Sequence, residues 1–146
     1  MLDLKALLAK ILNNQGKVLF NNPSQPMSGA ITLSDSAANY KMLVICFHTN
    51  DGFYDSTTVY NPNGKNVILW TAGVTATTNN YGRVYAKIKV VNITGTTINT
   101  LYNTVSGTAY YYTAEKDMAV TGVGTIGDYI SITQVIGYPS LIGGGQ

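Results

Sequence analysis

Aromatic and amide side chains occur together in two polar turns of this chain, at residues 49–55 and 77–83. A tyrosine ring has an apolar face that stacks on the C–H side of a sugar and a hydroxyl that hydrogen-bonds, and few torsions are frozen when it binds. Thr, Asn and Asp side chains beside such a ring supply donors and acceptors for sugar hydroxyls. We therefore predict saccharide binding by seven residues of these turns: Asn50, Asp51, Tyr54, Asn79, Asn80, Tyr81 and Arg83.

Tyr60 also lies beside a turn, so it is a candidate for binding together with Tyr54 and Tyr81. The other aromatic residues are weaker candidates. Trp70 ends the apolar run 67–70, so we predict that it packs in the core. The consecutive tyrosines 110–112 must point alternately to both faces of a strand. At least one of them is expected to be exposed or to lie in a groove between subunits.

Catalytic chemistry has little support in this sequence. Asp51 and Asp55 flank one turn, where two carboxylates could hold calcium or act in a glycosidase, but the EF-hand spacing is absent. A glycosidase needs two carboxyl groups roughly 5–9 Å apart, and the spacing of the seven acidic residues singles out no pair. Residues 122–127 (GVGTIG) superficially resemble a dinucleotide-binding motif, yet no helix pattern follows. We predict that the protein is not an enzyme and uses no cofactor.

His48 and Cys46 are the only histidine and the only cysteine, and they lie two residues apart. A lone imidazole is a poor metal site, so a structural role is predicted for His48 and no metal is predicted. Cys46 lies in the apolar run MLVICF, which predicts a small buried side chain rather than a nucleophile. No disulfide can form within one chain.

A helix is predicted over residues 1–12, MLDLKALLAKIL. Its apolar residues recur at the spacing of a coiled-coil heptad, and two further leucines, Leu7 and Leu12, broaden that seam beyond what two helices need. A helix of this length is only marginally stable alone, because even good helix formers need about 12–15 residues. We expect it to pack against copies of itself as a trimer; the alternative is that it folds back over the domain that follows. The trimerisation residues are predicted to be Met1, Leu4, Leu8 and Ile11.

Strand patterns fill the rest of the chain. Short apolar segments separated by turn residues about every 8–12 positions predict an antiparallel sandwich. Residues 40–48 are apolar at both alternating sets of positions, which predicts a strand covered on both faces, one by the core and the other by something such as a neighbouring subunit. Residues 73–82 are rich in Thr and Asn and are predicted to form a loop.

Two later strands carry predictions about their faces. Over residues 84–93, Val84, Ala86, Ile88 and Val90 alternate with Tyr85, Lys87 and Lys89, so the lysine face is predicted to be solvated. In the last strand, residues 129–138, we predict Ile130, Ile132 and Ile136 on one face and Val135 on the other. The complete prediction is a mainly β protein: an antiparallel, jelly-roll-like β-sandwich at 16–139, preceded by a coiled-coil helix at 1–15 and followed by a flexible tail at 140–146.

Composition excludes several classes of protein. Only 11% of the residues are charged, against about 25% in an average soluble protein, and Thr (18) and Asn (14) are abundant. A net charge of +2 with scattered Lys and Arg does not fit a nucleic-acid-binding surface. No apolar run reaches the length of a membrane span, and Lys5 and Lys10 interrupt the N-terminal stretch, so neither membrane insertion nor a signal peptide is predicted. We expect synthesis in a cytoplasm.

The heptad helix, the segment GAITLSDSAANYKMLVICFHTNDGF and the closing ISITQVIGYPS together resemble a known family. They are similar to the small head domains at the C-terminal ends of phage and prophage tail-fibre or receptor-binding proteins, particularly of siphophages that infect Gram-positive bacteria. The resemblance covers most of the chain and carries over no residue roles. It implies a homotrimer in the phage tail of the virion, made in the host cytoplasm, that contacts other tail proteins and recognises polysaccharide of the host surface. The alternative is a structural tail or baseplate protein that contacts only other virion proteins.

Overall fold

A computed structural model describes residues 3–13, 15–26, 30–50, 52–76, 82–101, 109–113, 120–124 and 129–139. One helix is followed by ten strands in this part of the chain. A short 3-10 helix, Ala37–Asn39, precedes the third strand. The elements are α1 (Leu4–Asn13), β1 (Lys17–Asn21), β2 (Ile31–Thr32), β3 (Met42–Thr49), β4 (Tyr54–Tyr60), β5 (Lys65–Ala76), β6 (Gly82–Thr94), β7 (Thr97–Thr100), β8 (Ala109–Thr113), β9 (Val120–Gly124) and β10 (Ile130–Tyr138).

The strands form two antiparallel sheets. The four-stranded sheet has the order β1-β10-β3-β4, and the six-stranded sheet has the order β2-β7-β6-β8-β9 with β5 paired to β6. The buried apolar side chains of both sheets form one cluster, so the sheets pack face to face as a sandwich. The predicted mainly β, antiparallel fold with an N-terminal helix is confirmed.

β3 lies in the middle of the four-stranded sheet and supplies much of the core. Leu43, Ile45 and Phe47 are at most 1% exposed and face the six-stranded sheet. Burial of each such side chain stabilises the fold by about 1.5–3 kcal/mol. The opposite face of β3, which the sequence predicts to be covered, is half-buried at Met42 and Val44. We call this side of a sheet, turned away from the other sheet, its outer face.

β5 and β6 form the longest ribbon, with 12 and 13 residues. Their pairing runs without interruption from Lys65 opposite Ile93 to Ala76 opposite Gly82, a length of about 40 Å at roughly 3.3 Å per residue. The predicted loop at 73–82 is therefore wrong over residues 73–76. A strand needs backbone hydrogen-bond partners, and β6 supplies them even where the sequence offers few apolar side chains.

The predicted solvated face of β6 is also wrong. Lys87 and Lys89 are only 9% and 7% exposed, on the same buried face as Val91 and Ile93. Lys89 Nζ donates to the carbonyl oxygen of Ile130 at 3.0 Å. The lysine stems can share the interior with aliphatic side chains because their ammonium groups find partners at its edge.

A β-bulge changes the faces of β10. Its pairing to β3 skips a residue between Ile132 and Gln134. Val135 is consequently 0% exposed and belongs to the core with Ile130 and Ile132, while Ile136 lies half-buried on the outer face. The predicted grouping of Ile136 with the inner residues is wrong, because one extra residue reverses the alternation that follows it.

The strand register defines two ends of the sandwich, which we call proximal and distal. At the proximal end, Lys17 pairs with Gly137, which pairs with Leu43, so α1 joins the sheet here. At the distal end, Ile130 pairs with Thr49. The seven-residue step along β3 from Met42 to Thr49 separates these ends by about 23 Å.

A hydrogen-bonded turn closes the proximal end. The Tyr40 hydroxyl donates to Asp35 Oδ2 at 2.8 Å, and Asn39 Nδ2 donates to Asp35 Oδ1 at 2.9 Å. The hydrogen bond from Tyr40, followed by that from Asn39, holds the pKa of Asp35 below its ordinary value. Burial, followed by the hydrogen bond to the carboxylate, raises the pKa of Tyr40 to about 12.

α1 begins after Asp3, whose Oδ1 accepts from the backbone N–H of Lys5 at 3.0 Å and of Ala6 at 3.2 Å. This side-chain cap satisfies backbone N–H groups of the first turn, which have no partner within the helix. The apolar side chains of α1 remain exposed, from 41% at Leu7 to 70% at Leu4, so the helix does not fold back over the β domain. Within the described residues, no helix has the length and apolar character needed to cross a membrane.

Candidate functional site

An open cavity of about 170 Å³ lies on the outer face of the four-stranded sheet. Its lining combines an aromatic ring with amide and hydroxyl groups. Among the described residues, six line it: Asn21, Pro23, Cys46, Tyr54, Thr133 and Gln134.

The strand register assembles this cavity from distant parts of the chain. Gln134 lies opposite Asn21 on β1 and opposite Cys46 on β3, which places all three on one row across the sheet. The bulge in β10 inserts Thr133 beside this row. Thr133 is held at the backbone, where its carbonyl oxygen accepts from Asn22 N at 2.8 Å.

A polar turn after β1 forms one wall of the cavity. Asn22 Nδ2 donates to Gln25 Oε1 at 3.0 Å, and Ser24 N donates to Asn22 Oδ1 at 3.1 Å. Ser131 Oγ on β10 donates to the Gln25 carbonyl oxygen at 2.6 Å. These bonds fix the turn against β10, and so they fix Pro23 at the cavity.

Tyr54 supplies the aromatic surface. It pairs with His48 across β3 and β4, and the two ring centroids are 5.6 Å apart with an interplanar angle of 46°. His48 Nδ1 in turn lies 3.0 Å from the Thr49 carbonyl oxygen. Tyr54 is nevertheless 79% exposed, so the contact with His48 orients the ring and leaves most of it open to a ligand.

Cys46 is half-buried and lines the cavity. The sequence predicts a buried Cys46, and this prediction is wrong because the side chain is only partly covered on the outer face. Desolvation raises the pKa of the Cys46 thiol. The group is therefore a neutral thiol at pH 7 and a poor nucleophile.

The first predicted turn, at 49–55, lies at the distal end and contributes one residue to the cavity, Tyr54. Gly52 adopts a φ of 88° and donates to the Thr49 carbonyl oxygen at 3.0 Å, which closes the hairpin. Asn50 N donates to the Tyr129 carbonyl oxygen at 3.1 Å, and Asn50 Oδ1 accepts from Lys87 Nζ. The Asn50 amide oxygen is thus engaged in holding the turn to β6. Asp51 lies outside the described residues.

The second predicted turn follows the end of the β5–β6 ribbon. Asn79, Asn80 and Tyr81 lie outside the described residues, and the backbone of Arg83 pairs with Thr75 and Thr113. Gly82 is five residues along β6 from Lys87, the residue that contacts the first turn, a step of about 16 Å. The described residues of both predicted turns thus lie toward the distal end, away from α1.

The described residues of the predicted trimerisation seam lie at the other end of the molecule. Leu4, Leu8 and Ile11 are 70%, 56% and 51% exposed on α1. Met1 lies outside the described residues. The exposure of this seam is what a helix needs in order to pack against copies of itself, and the trimer itself stays a prediction.

Sequence reasoning missed Asn21, Thr133 and Gln134. Asn21 and Gln134 are far apart in the sequence and meet only through the pairing of β1 with β10. One signal was available: the inner residues of β10 step by two from Ile130 to Ile132 and then by three to Val135, the spacing that a bulge produces.

A second exposed aromatic residue lies on the outer face of the six-stranded sheet. Trp70 is 57% exposed, so its predicted core position is wrong, and its neighbour Leu69 is the buried residue. It pairs with Ile88, and Ile68 beside it pairs with Val90. We call this cluster the Trp70 patch: Ile68, Trp70, Ile88, Val90 and Leu101.

Within the described part of the chain, no three His, Cys, Asp or Glu side chains gather as a metal site. The tyrosine, amides and hydroxyl of the cavity are groups that can stack against a ligand and hydrogen-bond to it. Comparisons of the chain with protein-family models, with curated proteins and with solved structures found no significant match.

Proposed function

We propose that this protein is the receptor-binding head of a phage tail fibre and attaches the virion to saccharide on the host cell surface. The observation that carries the proposal is Tyr54, an exposed ring that borders a cavity lined by Asn21, Thr133 and Gln134. The ring stacks on a sugar face while the amides and the hydroxyl bind its hydroxyl groups. The sequence resemblance to phage head domains supports the biological setting.

The position of the cavity also supports attachment. It lies on the distal half of the outer face, in the row formed by Asn21, Gln134 and Cys46, whereas α1 joins the sandwich at the proximal end. We propose that three helices bundle about an axis and present three cavities toward one surface. Linked sites act at a high effective concentration, so weak single sites yield strong attachment.

Binding to purified cell walls from several Gram-positive hosts tests this function. Tyr54→Ala removes the stacking surface, and Gln134→Ala removes one hydrogen-bonding group worth about 0.5–1.5 kcal/mol. Tyr60→Ala is the matched control, because Tyr60 is 55% exposed on the outer face of the same strand but does not line the cavity. We expect wall binding to fall strongly for Tyr54→Ala, less for Gln134→Ala, and not for Tyr60→Ala.

Equal wall binding by Tyr54→Ala and the wild type would remove this cavity from the function. A folded wild-type protein that binds none of the walls or glycans would favour a second function. In that case the chain is a structural tail or baseplate protein that contacts only other virion proteins. The exposed apolar side chains of α1 and of the Trp70 patch favour this alternative, because such surfaces fit protein partners.

A further inference from the structure

The Trp70 patch is an exposed apolar surface in a protein that is rich in Thr and Asn. Ile68 and Trp70 are each 57% exposed and Leu101 is 41% exposed. Using about 150–250 Å² for a whole aromatic side chain, Trp70 alone leaves on the order of 100 Å² of its surface in solvent. The outward positions that flank the patch are Asn66 and Asn92, which hydrogen-bond each other at 2.8 Å.

The proposed homotrimer requires more contact than α1 provides. α1 contains ten residues, whereas a stable interface engages about 20–30 residues on each partner. A helix this short is also marginal alone. The β domains must therefore contribute at least as many contacts as the helices do.

Two outer faces could supply these contacts. The outer face of the four-stranded sheet carries the cavity with Tyr54 on its distal half, and a neighbouring copy packed over that half would close the cavity to saccharide. The six-stranded sheet offers the Trp70 patch, which is aliphatic around its single aromatic ring. Trp70 lies five residues from Lys65, the proximal start of β5, or about 16 Å. Because the two ends are about 23 Å apart and Trp70 pairs with Ile88, between the distal residues Lys87 and Lys89, the patch extends from the middle of the domain toward the distal end. A contact there would hold neighbouring copies together at a second level, apart from the helices.

We infer that the Trp70 patch is the surface through which each β domain packs against a second copy of this chain. This inference rests on the proposed homotrimer. In a three-fold assembly the patch contacts a different surface of the next copy, so it need not be complementary to itself. Burial of the patch removes its aliphatic side chains and the indole ring from water, which stabilises the assembly.

Trp70 is the only tryptophan, so its fluorescence reports directly on this surface. Light scattering gives the mass, and acrylamide quenching of selectively excited tryptophan gives the accessibility of Trp70. The wild type is compared with Leu8→Asp, which places a charge in the helix seam. We expect a wild-type mass of three chains, with emission shifted to the blue and quenching several-fold weaker than in a monomeric Leu8→Asp protein.

Two matched variants show which outer face packs against a neighbouring copy. Ile68→Asp and Val18→Asp each place a carboxylate at an exposed aliphatic position, 57% and 49% exposed, on the outer faces of the two sheets. We expect Ile68→Asp to dissociate the trimer, and Val18→Asp to retain its mass.

Three outcomes would overturn the inference, and they are distinguishable. A wild-type trimer in which Trp70 is quenched as readily as in the monomer excludes the patch and leaves the trimer standing. Dissociation by Val18→Asp but not by Ile68→Asp assigns the interface to the four-stranded sheet. A monomeric wild type removes both the trimer and the patch, while saccharide binding to cell walls is tested separately and is unaffected by this result.

Discussion

The outer faces of the two sheets each present an exposed aromatic residue to which we assign a role, Tyr54 on one and Trp70 on the other, and the residues around these two rings differ. Tyr54 borders an open cavity with two amides, a threonine and a proline. Trp70 is surrounded by isoleucine, valine and leucine side chains. The ring alone therefore does not indicate a ligand, because every aromatic residue offers an apolar face. The residues around the ring indicate the kind of ligand, because hydroxyl-rich sugars need hydrogen-bonding partners and protein surfaces need aliphatic contact.

The largest expected effect comes from breaking the helix seam. Leu8→Asp should convert the proposed assembly of three chains into single chains of 15.7 kDa, because a carboxylate cannot be buried unpaired in an apolar seam. Wall binding should fall by about 10²–10⁴-fold as the linked sites separate. Light scattering and wall binding measure the two effects.

The control for this variant is Ala6→Asp, which adds the same charge to α1 on the side opposite the heptad seam. Asp is also favourable in the first turn of a helix, so the fold of α1 should be preserved. An Ala6→Asp protein that dissociates as fully as Leu8→Asp would mean that net charge, rather than the seam, determines assembly.

The second prediction concerns a substitution in the core between the two sheets, Gly137→Ala. A Cβ atom at residue 137 would lie 2.6 Å from Tyr40 Cδ1 and 2.8 Å from Leu19 Cδ1. Gly137→Ala should therefore destabilise folding by about 1–3 kcal/mol, the usual range for overpacking. Urea denaturation measures the change, with the exposed Ser56→Ala as control.

Below its unfolding transition, the Gly137→Ala protein should still bind cell walls and still assemble. Selective loss of one of these two properties would show that residue 137 positions one outer face and not the other. It would then contradict the description of a common core that supports both faces equally.

The sequence predicted most strands correctly but not which of their faces points inward. Periodicity identified β3, β4 and most of β6, because alternation and turn residues are local signals. It failed on which face of β6 lies inward and on Trp70, since alternation shows that two faces differ without showing which one meets the second sheet. Leu69 and Trp70 are adjacent and both apolar, and only the packing of β5 and β6 against β3 and β10 places one inside and the other outside.

The cavity was less predictable than the fold. Tyr54 was identified because it follows a turn, whereas Asn21 and Gln134 meet only through pairing between the first and last strands. Single-chain sequence has no signal for that pairing.

A smaller effect is expected at the proximal end as pH changes. Asp35 has its pKa lowered from 3.8, so its hydrogen bonds stabilise the fold above that pH, and this contribution is lost as pH falls through the lower folded value. The pKa of Tyr40 is raised from 10.0 to about 12, so its contribution is present below pH 10 and is lost as pH rises through about 12.

Thermal unfolding from pH 2 to pH 12 measures both limbs. Asp35→Asn should flatten the acidic limb and lower stability at neutral pH, where the carboxylate normally accepts a hydrogen bond from the Tyr40 hydroxyl. An unchanged acidic limb in Asp35→Asn would assign acid sensitivity to other carboxylates.

We propose that the two outer faces have separate functions, and a comparison of two variants distinguishes them. Tyr54→Ala and Trp70→Ala are each measured by light scattering and by calorimetric titration with polysaccharide released from purified host cell walls. We predict that Tyr54→Ala remains a trimer and loses affinity per site, while Trp70→Ala dissociates more readily and keeps its affinity per site. If each variant lost both the trimer and the affinity, the two faces would not have separate functions. If Tyr54→Ala lost the trimer and Trp70→Ala lost the affinity, the proposed assignment of the faces would be reversed.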